Sequence, residues 1–490
     1  MSDATMNDDS ADLSLAPACQ LPQLLVHLDV GQDFVRRTPC SSASPRSVTM
    51  SDATMNDTLP DDALLAVLGH LPTRELFTAR VVCRRFRDLC LHRQLWKTRS
   101  LHTDDFGTAR FGLLRAVLCL APCLHQLTLS PEQCTRLAPV VPGISCSVSA
   151  LDINSVFGGE GDAVTRDNVQ GFIAIVQGLS SLGGLTELGL SLALGGASSP
   201  LVEALLKAIY TIDGLQTLFI SGESQLTADI PVGLEVKPSL KKINYRSWGV
   251  DTYEKVPFIG SLLKAHASTL EEVIVELVDV PLSPLQGSKK LRSLTIFPHE
   301  ELPLLVDCPN LSTIEIVYAD SWDYPAGTIE FFRRAVSLRS VTFSCPENDA
   351  TAPLLALAGS KAARGVEVLD VWATSPDVIT LLGISLHKFP SLRRLTFQGK
   401  VTDDFLRAVD PAVTPNLAWL TVEERHDGSP CAHSWLHGPA IQDLFARNPR
   451  LGLFIHDWEG NLPGCSCRWC SWGCHSNLDE PKQGFSAKSF

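Results

Sequence analysis

The chain has 490 residues, of which 45% are hydrophobic and 19% are charged, and its formal net charge at pH 7 is −13. So much apolar material with so little charge excludes a chain that is disordered throughout. The negative balance argues against non-specific nucleic-acid binding by the whole molecule, and no apolar run reaches the length of a membrane span.

Residues 1–57 predict a disordered leader, because they carry clusters of Ser, Pro and Asp and little apolar periodicity. The sequence MSDATMND occurs at residues 1–8 and again at 50–57. Met50 is therefore either a second translation start or the trace of an error in the predicted gene, so the expression of the first 49 residues stays open. The acidic start is not typical of a secretory or mitochondrial leader. We expect the protein in the cytoplasm, the nucleus or both.

The next segment, residues 58–97, predicts three short amphipathic helices. Thr58 and Asp61 fit a capping box, and Pro60 fits the first helical turn. Thr73 is expected to cap the second helix. About forty residues are too few to bury a stable core alone, so the segment is interpreted as a docking surface. The apolar positions expected on the three helical faces are Leu64, Val67, Leu68 and Leu71, then Leu76, Ala79, Cys83, Phe86 and Cys90, then Leu95 and Trp96.

Residues 58–100 resemble the F-box. The matching positions are Leu59, Pro60, Asp61 and Asp62, then Leu64, Leu65, Val67, Leu68 and Leu71, then Val82, Cys83 and Arg84, and finally Leu95 and Trp96. Phe86 stands where the family usually has a tryptophan. The resemblance implies docking on a Skp-type adaptor and, through it, on a cullin; an ordinary helical hairpin is the alternative. The adaptor-binding residues that it implies are Leu59, Pro60, Leu64, Leu68 and Val82.

Basic residues are concentrated in the same stretch, inside an otherwise acidic protein. We favour electrostatic steering toward an acidic adaptor over a nucleic-acid surface or a merely solvated helical face. No aromatic residues alternate with the cations, as single-strand binding would require. Only Glu75 and Asp88 oppose the basic residues, which are Arg74, Arg80, Arg84, Arg85, Arg87, Arg93, Lys97 and Arg99.

A repeat unit recurs in the rest of the chain. In each unit a leucine-type residue is followed by two variable residues, an apolar residue, a variable residue and another apolar residue. Most units start roughly 20–30 residues apart, the range of leucine-rich repeats, and the alternation within a unit is typical of a strand. Helix-compatible stretches such as residues 199–211 lie between them. The units begin at Leu124, Val148, Leu185, Leu215, Leu240, Leu270, Leu291, Leu311, Leu338, Val366, Leu392, Leu417 and Leu451.

This pattern resembles the leucine-rich repeats of F-box proteins. The fold class that it implies is α/β: a short all-helical F-box followed, over residues 101–458, by a leucine-rich-repeat solenoid, with a curved parallel sheet and helices on its convex side. One strand–helix unit cannot bury its apolar face alone, whereas stacked units bury a continuous core. The alternative, a doubly wound α/β domain, requires a phosphate loop that the sequence lacks.

Strand alternation also predicts which side chains face outward on the concave sheet. The three apolar positions of a unit point inward, so the residue between the last two, and the residue after them, face out. We expect this face to bind a protein substrate, with Phe297 and Trp372 as exposed aromatic hot spots. The predicted substrate-binding residues are Arg246, Glu276, Phe297, Glu315, Trp372 and Gln398, and the other outward positions are Phe219, Asn244, Asp370 and Glu423.

Residues 459–490 form a cysteine-rich tail, which offers enough sulfur and nitrogen ligands for a structural zinc ion. The spacing does not match the common paired arrangement, so a free-thiol capping tail, oxidation and lipid attachment are alternatives. No other cofactor is expected. The remaining cysteines are scattered at apolar positions and are expected to be free, buried thiols. The candidate metal ligands are Cys465, Cys467, Cys470 and Cys474, followed by His475.

The sequence carries no recognised catalytic motif: GxSxG, a phosphate loop, HExxH and GxGxxG are all absent. We therefore expect no catalytic residues and no enzyme activity. The resulting hypothesis is a substrate-recognition subunit of an SCF-type ubiquitin ligase, which docks by its F-box and binds the protein to be ubiquitinated by its repeats. The alternative is a ligase-independent leucine-rich-repeat scaffold. Neither nucleic acid nor a membrane is an expected partner.

Overall fold

The structure is a computed structural model. It describes residues 59–102, 111–154, 166–192, 199–222, 236–247, 256–277, 279–317, 324–344, 350–372, 375–399, 401–423, 438–456 and 482–486. The chain divides into two compact units, of which the first ends at Cys90 and the second begins at Leu91. The predicted disordered leader and the candidate zinc ligands Cys465, Cys467, Cys470 and Cys474 lie outside the described residues, so both stay predictions.

The helices of the first unit are α1 (Asp61–Gly69), α2 (Thr73–Ala79) and α3 (Arg84–Leu89). The sequence predicts one helical face from Leu76 to Cys90, and the structure has two helices there. The break arises because Cys83 is extended, with φ −158°, and its Sγ accepts a hydrogen bond from the Phe86 N–H at 3.4 Å. A side chain that accepts a hydrogen bond from the backbone N–H three residues later is an N-cap. Cys83 is therefore the N-cap of α3.

The two prolines of the first unit lie just before its helices. Pro60 and Pro72 are extended, with ψ 153° and 156°, and occupy the N-cap positions of α1 and α2. Pro60 is therefore not inside the first turn as predicted, and Thr73 begins α2 instead of capping it. A backbone N–H at the N-cap has no acceptor within the helix. The N–H that proline lacks therefore costs neither helix a hydrogen bond.

The predicted apolar face of α1 is only partly buried. Leu64 and Leu68 are buried together with Leu65, whereas Val67 is 61% exposed. At about 3.6 residues per turn, the buried stripe is centred between Leu64 and Leu65, which turns Val67 to solvent. The apolar core of this unit is completed by Leu76, Leu89 and Cys90.

The second unit is built on one sheet whose strands follow in sequence order. All neighbours from β1 to β14 are parallel, and β15 pairs antiparallel with β14. This order confirms the solenoid over the doubly wound alternative, whose strand order is permuted. The strands are β1 (Ser100–Leu101), β2 (Cys123–Leu129), β3 (Ser147–Asn154), β4 (Glu187–Leu192), β5 (Thr217–Gly222), β6 (Lys242–Ser247), β7 (Glu272–Glu276), β8 (Ser293–Ile296), β9 (Thr313–Val317), β10 (Ser340–Ser344), β11 (Val368–Trp372), β12 (Arg394–Gln398), β13 (Trp419–Glu423), β14 (Gly452–His456) and β15 (Lys482–Ser486).

Helices connect most strands and pack side by side, α6 on α7, α7 on α8, α10 on α11 and α11 on α12. The two shortest repeats, which begin at Leu270 and Leu291, hold only 3₁₀ turns, at Ser283–Leu285 and Leu302–Leu305. None of the helices in the described part of the chain has the length and apolarity of a membrane span. The helices are α4 (Arg93–Trp96), α5 (Phe111–Leu120), α6 (Pro131–Leu137), α7 (Arg166–Ser181), α8 (Ser199–Tyr210), α9 (Pro257–His266), α10 (Ala326–Arg334), α11 (Thr351–Ala358), α12 (Pro376–Ser385), α13 (Asp403–Ala408) and α14 (Pro439–Arg447).

Each predicted repeat contributes one strand, from β2 in the unit at Leu124 to β14 in the unit at Leu451. Its leucine-type positions are buried, as in the repeat of Leu311, Ile314 and Ile316, none of which is more than 2% exposed. The register stacks these positions on their equivalents in the neighbouring strands. Because each buried aliphatic side chain is worth about 1.5–3 kcal/mol, the continuous row stabilises the stack.

Candidate functional site

The first unit exposes a group of large apolar side chains. Val81 and Val82, in the turn between α2 and α3, are 75% and 62% exposed, Val67 is 61% exposed and Leu59 is 37% exposed. We call these four residues the apolar surface of the helical unit. A small unit gains stability by burying such side chains, so their exposure points to a partner.

The predicted adaptor-binding residues divide into two groups in the structure. Leu59, Pro60 and Val82 are exposed, whereas Leu64 and Leu68 are buried in the core of the helical unit. Burial gives Leu64 and Leu68 the role of holding α1 in place within the described unit. The adaptor-binding residues predicted from the sequence include neither Val81 nor Val67.

Arg85 ties the start of α1 to α3. Its Nη2 donates to the Leu59 carbonyl at 2.6 Å and to Asp61 Oδ1 at 2.6 Å, and its Nε donates to the same carboxylate at 2.9 Å. These contacts fix the backbone of Leu59 next to Pro60. Part of the predicted basic patch therefore has a structural task.

The remaining patch is split between the two compact units. Arg74, Arg84 and Arg87 are exposed in the first unit, whereas Arg93 and Lys97 lie in the second, beyond the boundary after Cys90. Exposed arginines on a small unit are suited to attract an acidic protein surface.

The second candidate is the sheet face that carries the outward strand positions, here called the open face. Alternation along the strands places Arg246, Glu276, Glu315 and Trp372 there, as in β9 and β11, where half-buried and buried residues alternate. The Arg246 Nε lies 3.5 Å from Glu276 Oε1, and Thr295 Oγ1 donates to Glu315 Oε2 at 3.2 Å.

Carboxylates on the open face lose hydration. Burial raises the pKa of Glu276; Arg246 opposes that change and Glu315 adds to it. Burial also raises the pKa of Asp370, against hydrogen bonds from Thr396 and Thr342 and the charge of Arg394. Both carboxyl groups are therefore partly shielded from water, and Arg246 and Arg394 are the cations that act on them.

Phe297 is not the exposed aromatic that the sequence predicts, because only 7% of it is exposed. Its strand, β8, ends at Ile296, whereas β7 and β9 continue for one more residue. Phe297 therefore lies just beyond its strand, where alternation no longer predicts exposure. Trp372, the other predicted aromatic, is half-buried on the open face.

Gln398 is also 7% exposed, although it lies on an outward position. Its Oε1 and the Oδ1 of Asp370 are buried oxygens without a hydrogen-bond partner. The sequence places both residues on the open face, but nothing in the repeat pattern indicates that their oxygens are shielded from water and unpaired.

No group of three or more histidine, cysteine, aspartate or glutamate side chains suited to a metal ion occurs within the described ranges. The cysteines of these ranges are free thiols, and Cys90, Cys123, Cys134, Cys146 and Cys308 are buried. Burial raises the pKa of the Cys146 thiol to about 12, which leaves it protonated and unreactive near neutral pH.

A groove of about 740 Å³ lies at the amino-terminal ends of strands in the middle repeats. Arg292, Asn310, Arg339 and Glu367 are among its lining residues. Arg339 Nη1 lies 2.8 Å from Glu367 Oε1, and Arg393 Nε lies 3.6 Å from Glu367 Oε2. Glu367 therefore bridges two repeats, which gives the groove a structural explanation.

Comparison with known proteins gives one family match, to the F-box-like family, over residues 56–102. Among solved structures, the chain is similar to one in the yeast Rad7 and Elc1 complex, with 18% identity, 75% of this chain and 89% of that chain covered, and a TM-score of 0.38. An internalin, InlF, from Listeria monocytogenes is 13% identical over 75% of this chain and 89% of its own, with a TM-score of 0.29. These TM-scores are below 0.5, so the solenoid assignment stands on the strand order and register of this chain.

Proposed function

We propose that residues 56–102, which match the F-box-like family, dock the protein on a Skp-type adaptor of a cullin-based ubiquitin ligase. The observation that carries the proposal is the apolar surface of the helical unit, Leu59, Val67, Val81 and Val82, which lies within the matched segment. Exposed apolar side chains in a unit that also exposes Arg74, Arg84 and Arg87 suit a docking surface for an acidic partner.

The second unit would act as the substrate receptor. A solenoid presents one long sheet face on which side chains from many repeats combine, and the polar residues of the open face are partly desolvated. In this function the protein performs no chemistry. It holds a protein substrate near the ligase, and ubiquitin transfer accelerates because tethering raises the effective concentration.

Adaptor capture tests the docking function. Purified full-length protein is mixed with a purified Skp-type adaptor, and Leu59→Ala combined with Pro60→Ala is compared with the unchanged chain. Both residues are exposed, so the variant is expected to fold and to lose capture. If the unchanged protein captures no adaptor, the ligase-independent repeat scaffold becomes the better account.

A further inference from the structure

Asp370 and Gln398 form a pair of unsatisfied acceptors on neighbouring strands of the open face. In the register of β11 and β12, Asp370 aligns with Thr396 and Trp372 aligns with Gln398. Asp370 and Gln398 are thus diagonal neighbours, about 7–8 Å apart at their Cα atoms. Both oxygens are buried in the free protein, so the two side chains reach one ligand group once rotation brings these oxygens to the surface.

Both acceptors lack a donor. Thr342 Oγ1 donates to Asp370 Oδ2 at 3.5 Å, whereas Asp370 Oδ1 has no partner. Gln398 is 7% exposed and its Oε1 is likewise unpaired. Buried polar atoms are almost always satisfied in native proteins, and exceptions call for an explanation such as a ligand.

Trp372 adds a flat aromatic surface beside the two acceptors. It is half-buried, faces outward and lies directly across from Gln398 in the register. An indole is the best aromatic partner for a cation. Carboxylate, amide oxygen and indole together are complementary to a cation with several N–H donors.

The charged groups around the pair favour a cation over an anion. Arg394, on β12, is the cation that acts on Asp370, and it does not come within 4.0 Å of the carboxylate to form an ion pair. Glu315 lies in the same outward row as Asp370, two strands away through Thr342. Glu276 lies on β7, two strands beyond Glu315, and forms an ion pair with Arg246.

We propose that Asp370, Gln398 and Trp372 bind the guanidinium group of an arginine on a partner protein. A guanidinium is planar, presents donors in a fixed fork to two acceptors and stacks on aromatic rings, whereas an ammonium is a point charge without a face. Glu315, two strands away in the same outward row, adds a second carboxylate to this face, which suits a protein segment more than a single small amine. The proposal rests on the proposed use of the open face for substrate capture.

Fluorine NMR of the full-length protein labelled with 5-fluorotryptophan tests this site. The chain has nine tryptophans, and Trp372→Phe identifies the Trp372 resonance. N-acetyl-arginine amide is titrated to roughly 20 mM, since one anchoring group binds with an affinity on the order of 1 mM or weaker. The citrulline analogue, which is neutral and of the same shape, and the lysine analogue are the comparators.

The expected result is a saturable shift of the Trp372 resonance with arginine and none with citrulline. Asp370→Asn, which removes a buried charge without changing shape, should weaken arginine binding about tenfold or more, and Gln398→Met should weaken it as well. Asp377→Asn is the matched control, because Asp377 is an exposed acid on α12 and not on a strand of the open face, and it should change the affinity less than about threefold.

The site is overturned by the absence of a saturable shift, by an equal response to citrulline or lysine, or by unchanged affinity in Asp370→Asn. Adaptor capture is measured on the same samples. Protein that captures the adaptor but fails to bind arginine overturns this site alone. Protein that binds arginine but captures no adaptor contradicts the proposed ligase function and leaves the site standing.

Discussion

Arg85 and Asp61 form a two-pronged ion pair across 24 residues of sequence, with Nη2 and Nε of Arg85 at 2.6 and 2.9 Å from the same Asp61 oxygen. The Asp61 side chain is well exposed, so the pair alone contributes little stability. Its value is positional, because the same Nη2 also holds the Leu59 carbonyl and thereby the entry to α1.

Replacing Arg85 with alanine should loosen that entry without unfolding the unit. We expect faster amide hydrogen exchange in the first turn of α1 and weaker adaptor capture, by roughly threefold to tenfold, since an exposed charge network is worth about 1 kcal/mol. Arg84→Ala is the matched control, because Arg84 is the exposed neighbour on the same helix. Equal exchange in both variants would contradict the positional role.

Charge reversal of the exposed arginines should slow adaptor association. With Arg74, Arg84 and Arg87 changed to glutamate, the association rate is expected to fall about tenfold at low salt, and the difference should shrink near 1 M salt, where charges are screened within about 3 Å. Stopped-flow association at several salt concentrations measures this effect. An association rate that is unchanged at low salt would contradict electrostatic steering by these arginines.

The nucleic-acid interpretation of the same arginines makes a separate prediction. A surface that binds phosphates would take up a labelled single-stranded oligonucleotide with an affinity that falls steeply with salt. Because the whole chain carries a net charge of −13, we expect no such binding at physiological salt in a fluorescence-anisotropy titration. Tight, salt-sensitive binding would favour the nucleic-acid interpretation instead.

His266 should make the second unit less stable in mild acid. The ring is 3% exposed, and its Nδ1 accepts from the Ser239 N–H at 3.1 Å. Burial lowers its pKa from 6.5 to about 4. Between these two pH values the unfolded chain binds a proton that the folded chain does not, so stability is complete above pH 6.5 and is lost as the pH falls toward 4.

Thermal unfolding at pH 7.5 and pH 5.0 measures this effect. His266→Gln is expected to unfold at a lower temperature than the unchanged protein at pH 7.5. Its unfolding temperature should fall less between pH 7.5 and pH 5.0 than that of the unchanged protein. His387→Gln, at an exposed histidine, should keep the full pH dependence. The same acid sensitivity in all three proteins would show that other groups cause it.

Gly327 is a point of close backbone approach. Its N–H donates to Glu300 Oε2 at 2.8 Å, and an added Cβ would lie 2.0 Å from the Glu300 carbonyl oxygen. Gly327→Ala is therefore expected to destabilise the second unit by about 1–3 kcal/mol. Gly112→Ala, in α5 with no atom within 4 Å of the added carbon, should be neutral or slightly stabilising. Urea unfolding of both variants gives the comparison, and equal midpoints would contradict the tight contact.

The strands were predictable because their pattern is set by burial alone. Residues such as Ile314 and Ile316 alternate with Glu315, and only a strand puts every second side chain inside. Repetition then identifies the stacked sheet, since a single unit cannot bury its apolar face. The helical unit has no such repetition. The helix break at Cys83 and the exposure of Val67 therefore depend on packing that the sequence pattern does not encode.

On the open face, too, some features follow from the sequence pattern and others depend on packing. Its outward positions follow from alternation, but the depth of each side chain depends on where its strand ends and on what lies around it. Phe297 lies just beyond the end of β8 at Ile296 and is 7% exposed. Gln398 is shielded although it is polar and outward, and Trp372 stays half-buried. No periodicity distinguishes these three positions.

The most direct test of the docking function is to measure adaptor binding after charged residues replace the exposed valines between α2 and α3. Val81→Asp combined with Val82→Asp places two charges on the apolar surface, and Val336→Asp is the control, since Val336 is 61% exposed in the second unit. Affinity for the purified Skp-type adaptor is measured by calorimetry on the full-length proteins. The account predicts at least a tenfold loss for the double variant and no change for the control. Equal affinities, or no adaptor binding by the unchanged protein, would contradict it.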